Sequence, residues 1–103
     1  MPIILHVEYK PKEGQQEQLL KAIGESVADV HAEDGCEKYA FHTTKDGRVV
    51  LIEVWRDKEA LNAHAEGEPI KKIRAACADL LEGPATLTPI RPAPLGDPAK
   101  GAL

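Results

Sequence analysis

The sequence has no surplus of basic charge. It carries 13 Lys and Arg against 17 Asp and Glu, for a net charge of −4. Phosphate binding needs a concentrated basic patch, so neither nucleic acid nor an anionic membrane surface is expected as a partner. Nor is there an apolar run approaching the roughly 18 residues that a membrane-spanning helix requires. The start, Met1-Pro2-Ile3-Ile4-Leu5, enters a strand directly and lacks the charged and apolar regions of a signal peptide, so a cytoplasmic location is expected. The two cysteines, Cys36 and Cys77, stand far apart with no CxxC motif. In a cytosolic chain such cysteines are expected as buried thiols rather than a disulfide. The four histidines show no HxH or HxxxH spacing, so no metal site is assigned. No internal repeat is visible.

What remains is an ordinary globular composition, 43% hydrophobic and 29% charged over 103 residues. A chain of this length is one domain. It buries roughly two thirds of the surface its unfolded state exposes, which suffices for a core with little surplus. The alternation of Ile3, Leu5, Val7 and Tyr9 with Ile4, His6, Glu8 and Lys10 predicts a half-buried strand. Residues 11–14 form a turn. Leu19, Leu20, Ile23, Val27 and Val30 mark the apolar stripe of a helix over about 13–33. Gly24 within it costs about 1 kcal/mol relative to Ala and is read as permitting close packing. Asp34-Gly35 stops that helix. A second strand covers 36–44, Asp46-Gly47 signals a hairpin, and a third strand covers 49–55. Asp57 is the expected N-cap of a second helix over 58–66. Pro69 suits the first turn of a third helix, whose stripe is Ile70, Ile73, Cys77, Leu80 and Leu81. Residues 85–90 give a short last strand, at an edge because of Pro89. The division is a folded domain, 1–91, and a Pro- and Gly-rich tail, 92–103, read as disordered or as an arm ordered only against a partner.

The order β-α-β-β-α-(α)-β is the split βαβ, an α+β ferredoxin-like arrangement with a four-stranded antiparallel sheet. The alternation is read as placing Ile3, Leu5, Val7, Tyr39, Phe41, Val50, Ile52 and Val54 toward the helices. Ile4, His6, Glu8, Ala40, His42, Leu51, Glu53 and Trp55 are read onto the opposite face. Leaving such a patch uncovered is unfavourable, and a second copy of the sheet is its simplest cover.

Four short motifs carry a resemblance. They are Lys10-Pro11-Lys12-Glu13-Gly14 after the first strand, Glu33-Asp34-Gly35-Cys36 before an aromatic strand, and Glu53-Val54-Trp55-Arg56-Asp57 with Glu59-Ala60-Leu61 and His64. The last is Leu80-Leu81-Glu82-Gly83-Pro84. In this order and spacing, from about residue 3 to 91, the chain resembles the antibiotic-biosynthesis-monooxygenase-type domain, the quinol monooxygenase-like branch of the dimeric α+β barrel superfamily. The resemblance implies a homodimer. Members of that family are cofactor-free oxygenases of phenols and quinols, haem-degrading enzymes, isomerases of small keto compounds, or proteins of unknown role, and the resemblance implies one of these. The haem-degrading branch uses an Asn, a Trp and a His where this chain has Val7, His64 and Arg74, so haem degradation is not expected. Many members carry a second His or aromatic pair soon after the first His; here that place is Glu68-Pro69-Ile70.

A cofactor-free oxygenase removes a phenolic proton in a dry pocket and stabilises the anion while molecular oxygen adds. His64, on the apolar stripe with Ala60 and Leu61, is the candidate base, since histidine titrates near neutrality. The competing reading is a core histidine bonded to a carbonyl. Trp55 either walls an aromatic pocket or anchors the core or a dimer interface. Tyr39 either donates to a substrate oxygen or packs in the core. His6 and His42, read on one face with Glu8 and Glu53, form either a base relay and substrate contact or a polar network that fixes dimer register. The leading expectation is therefore a cofactor-independent monooxygenase of a small aromatic hydroxyl compound. An isomerase or tautomerase of a small keto compound and a non-catalytic dimeric binding or stress-response module are the alternatives. An apolar pocket of a few hundred Å3 reaching His64 favours an enzyme, and a His64 sealed by aliphatic side chains favours the last.

Overall fold

The computed structural model describes residues 2–103. The order is β1 (Ile3–Tyr9), α1 (Gln16–His31), β2 (Cys36–Thr43), β3 (Val49–Trp55), α2 (Lys58–Ala65), α3 (Glu68–Cys77) and β4 (Thr86–Ile90). One antiparallel sheet has the strand order β2-β3-β1-β4. This is the ferredoxin-like α+β arrangement expected from the sequence. The boundary signals act as read. Asp57 Oδ1 accepts the Ala60 N–H at 2.9 Å and starts α2, and Pro69 lies in the first turn of α3. Gly47, at φ +94, closes the β2–β3 hairpin. Gly24, by contrast, is exposed and nothing lies near where a Cβ would sit, so it serves no close packing.

The face assignment of β3 is corrected by its register. Residues directly opposite in a ladder share a face, and β1 pairs Leu5 with Glu53, Val7 with Leu51 and Tyr9 with Val49. On the other side of β3, Tyr39 opposes Glu53 and Phe41 opposes Leu51. The helix-covered face therefore holds Val49, Leu51, Glu53 and Trp55, all buried. Val50, Ile52 and Val54 lie on the open face and are half-buried. Seven consecutive positions without a turn residue offer an apolar side chain to either face, and only Glu53 suggested which side was wet. Its placement inside moved the whole strand by one residue, which flips every side chain.

The helices cover that one face. Leu19, Ile23 and Val30 of α1 are buried with Ile70, Ile73 and Cys77 of α3, and α1 packs on α3 and β2. The α3–β4 segment is tied to the end of β1 by Lys12 N–H to the Leu80 carbonyl at 2.8 Å and Glu82 N–H to the Lys10 carbonyl at 2.9 Å. The edge strand β4 is exposed throughout. Beyond it the tail is exposed except at Gly101. It contains one turn, in which the Lys100 N–H meets Asp97 Oδ2 at 2.9 Å.

Candidate active site

The four aromatic residues of the chain come together on the covered face, and two of them, Tyr39 and Trp55, pack against His64. Tyr9 lies 6.3 Å from Phe41 between ring centroids, and Phe41 meets Tyr39 edge-on at 5.5 Å. Tyr39 is T-shaped to Trp55 at 6.4 Å and to His64 at 5.5 Å. Trp55 and His64 stack at 4.5 Å with 27° between their planes. Cross-strand pairing and the strand-to-α2 turn bring this about. Trp55 ends β3, and the Asp57 cap launches α2 so that His64 returns over the indole.

His64 is 4% exposed, and its Nδ1 lies 2.7 Å from Glu33 Oε1. That partner is a carboxylate, not the carbonyl of the competing expectation. When Nδ1 carries the proton and donates to Glu33, Nε2 is left as the basic nitrogen, which is how a carboxylate fixes an imidazole tautomer. Glu33 sits in the turn between α1 and β2, held there by neighbours. The Arg56 N–H bonds the Gly35 carbonyl at 2.8 Å, and the Arg56 guanidinium grips both oxygens of Asp34 at 3.0 and 3.1 Å. Gly35, at φ +83, lets the turn close on α2, because a Cβ there would collide with that of Ala60.

Glu53 is the second buried acid, 5% exposed. Its Oε1 accepts the Trp55 indole N–H at 2.9 Å. Burial pushes its carboxyl above the ordinary range, partly opposed by that hydrogen bond and by the nearby His64. Burial also pushes the phenols of Tyr9 and Tyr39 well up, so both stay neutral. The Tyr39 hydroxyl is buried and has no hydrogen-bond partner among the described residues.

These groups face a cavity of about 370 Å3, within the range of small-molecule sites. Leu5, Val7, Leu61, Ile70 and Ile73 make most of its wall apolar, while Tyr39, Glu53, His64 and Arg74 are its polar points. His64 is thus open to a cavity rather than sealed by aliphatic side chains. Trp55 does not line the cavity; it stands behind His64, fully buried, with its N–H already taken. His6 and His42 lie on the other side of the sheet. His6 opposes Ile52, and His42 Nδ1 lies 3.3 Å from the Val50 carbonyl. Glu8 on that face is paired with Arg48, and Glu53 is on the opposite side, so the relay expected of His6, His42, Glu8 and Glu53 does not form. Conversely, sequence reasoning gave Glu33 no role. Its signal was the Glu33-Asp34-Gly35-Cys36 motif, a small turn that brings an acid to a helix 31 residues further on.

Comparison with known proteins finds relatives of the same fold. The family model described as antibiotic biosynthesis monooxygenase matches residues 2–76. The chain is 27% identical over 92 residues to "Putative monooxygenase Rv0793" of Mycobacterium tuberculosis, covering 88% of this chain and 91% of that protein. The solved structure of Rv0793 superposes with a TM-score of 0.80 over 94% of this chain and 98% of its own, at 28% identity. The structure of PA3566 from Pseudomonas aeruginosa gives a TM-score of 0.77 at 26% identity, over 86% and 91% of the two chains.

Proposed function

The chain belongs to the antibiotic biosynthesis monooxygenase family, and on that premise we propose that it is a cofactor-independent monooxygenase of a small aromatic hydroxyl compound, a quinol or polyphenol. The observation that carries the reading is the Glu33–His64 pair opening on an apolar cavity. His64 Nε2 takes a phenolic proton, and Glu33 holds the ring and balances the imidazolium. The electron-rich anion then reacts with molecular oxygen. The substrate is its own reductant: in a quinol, a ring C–H carbon bonds one oxygen atom and the product is a hydroxyquinone. The other oxygen atom leaves as water with two hydrogens of the quinol. The apolar wall excludes bulk water while the anion exists.

The open sheet face supports a homodimer. Lys38, Val54, Ile4 and Ile90 form one cross-strand row on it, and Ala40, Ile52, His6 and Thr88 the next. Stacking this face on its copy covers the exposed Ile90 and the half-buried valines and isoleucine, by the two-fold route most homo-oligomers use.

A second reading has its own observation. A base at His64 and an acid at Glu53 line one cavity, which also suits moving a proton within a small keto compound without oxygen. One experiment separates the two. Oxygen uptake by metal-stripped protein is followed across naphthoquinols, catechols and anthrones, with product mass. Uptake above the uncatalysed rate with one oxygen atom in the product is the expected result. Absence of uptake across the panel removes the monooxygenase reading and leaves proton transfer.

A further inference from the structure

The oxygenase reading uses one proton-exchanging group of the cavity, His64, and leaves another idle. That group is Glu53, the one carboxyl among the lining residues. Its two oxygens are not equivalent. Oε1 accepts the Trp55 indole N–H at 2.9 Å. Oε2 has no protein partner among the described residues, yet it is not sealed, since the Tyr39 hydroxyl is the only partnerless polar atom that is fully enclosed. Oε2 is therefore the oxygen that meets the cavity, and a proton on this carboxyl sits there, because Oε1 is already an acceptor. Burial favours that protonated form, opposed in part by the indole N–H and by His64.

From this placement we propose that Glu53 is the acid that protonates the leaving oxygen when the O–O bond breaks, and so decides whether that oxygen ends as water or as hydrogen peroxide. The inference rests on the oxygenase reading of the cavity. Once oxygen has added to the quinol anion and taken the proton from His64, a ring carbon bears both a hydrogen and a hydroperoxide. Two exits compete. In one, His64 takes the C–H proton, that bonding pair becomes the second C–O bond, and the O–O bond breaks. Hydroxide takes the Glu53 proton and leaves as water, the proton on His64 then restores Glu53, and the product is a hydroxyquinone. In the other, the remaining quinol hydroxyl gives up its proton and the C–O bond breaks. Hydroperoxide leaves with that proton as hydrogen peroxide, and the product is the plain quinone. Hydroxide is the poorer leaving group, and the apolar wall offers it no bulk water, so the first exit needs an acid. His64 is the base in that step and cannot be the acid as well. The other titratable or charged groups on the cavity are Tyr9 from β1, Tyr39 from β2, and Arg74 and Cys77 from α3. Burial pushes the two phenols and the thiol up, and a guanidinium does not release its proton in proteins, so Glu53 is the donor left. The Trp55 N–H steadies the carboxylate that remains.

The test follows oxygen uptake on the quinols of the panel, 1,4-naphthohydroquinone first, with the rate in the absence of protein subtracted. Hydrogen peroxide formed per oxygen consumed is measured for the full chain and for Glu53→Gln, which keeps an acceptor for the indole and loses the proton. Product mass separates 2-hydroxy-1,4-naphthoquinone from 1,4-naphthoquinone. A positioned acid speeds its step by about 10²–10⁴-fold, so the peroxide share is expected to rise about tenfold or more in Glu53→Gln. In the wild type the share is expected to rise with pH, as Glu53 gives up its proton, and in the variant to stay flat. Equal shares in the two proteins overturn the role and leave the oxygenase reading standing. So does a Glu53→Gln protein that melts with the wild type but consumes no oxygen, since the group then acts before the O–O bond breaks. If that variant melts far below the wild type, the pH series on the wild type decides, and a flat share overturns the role. No uptake across the panel removes the oxygenase reading and this role with it.

Discussion

The two faces of this sheet are built from the same strands but carry opposite kinds of order. On the covered face the buried acid and the buried histidine each have a fixed partner: Glu53 holds Trp55, and His64 holds Glu33. On the open face the polar groups are local and wet. Glu8 pairs with a half-exposed Arg48, and exposed His42 leans on a backbone carbonyl. The lesson is that ionisable residues inside this domain are held in fixed pairs beside a cavity, while those outside meet solvent. Hydrophobicity alone inverts this, since it sends Glu53 out and Val54 in.

The sharpest way to break the comparison is to remove histidines from each face. His64→Ala is expected to lower turnover by about 10²–10⁴-fold, the usual worth of a general base, while the double change His6→Ala, His42→Ala leaves it within a factor of two or so. Steady-state rates on the substrate found by oxygen uptake decide this, and equal losses from both would end the distinction between faces. Next is Trp55→Ala, which empties the space behind His64 and should cost about 3–5 kcal/mol in urea unfolding. That is a large share of the stability of a domain this size. Ile52→Glu, in the middle of the open face, should leave the monomer folded but lower the molar mass measured by light scattering from dimer to monomer. An unchanged mass would remove that face as the interface.

The smallest effect is a slope. Glu53 ionises less readily folded than unfolded. The native state therefore still holds its proton above pH 4.5, the midpoint at which the unfolded chain has released half of its own. Stability from this group is complete below that pH and is lost as pH rises through the folded value. Glu53→Gln removes this contribution. Urea unfolding against pH should then show a flatter fall above pH 4.5 for the variant than for the wild type. Asp34 and Asp57, held low by Arg56 and the α2 backbone, contribute with the opposite sign and are unchanged in both.

Much of the fold was legible because its signals are local. The β1 alternation, the α1 stripe, Asp57 at the cap of α2 and Pro69 at the start of α3 each report on neighbours a few residues away. The candidate site was legible only in part. The inward placement of His64 could be read from its place on the α2 stripe with Ala60. Glu33 could not be given its role, since its partner is supplied by a helix across the fold and by the tight approach of Gly35 to Ala60. Glu53 was misplaced for a related reason. The strand is apolar on both sides, so its register is decided by Leu5 and Tyr39 across the ladder, which a single segment does not reveal.

The stack of Trp55 on His64 gives the molecule an optical consequence. With one indole in the chain, all the tryptophan emission comes from a ring 4.5 Å from the imidazole. A protonated imidazole quenches indole light strongly and a neutral one weakly. The emission of the untouched protein therefore reads the charge on His64 directly, with no label and no substrate, and any ligand that alters that charge announces itself as a change in brightness.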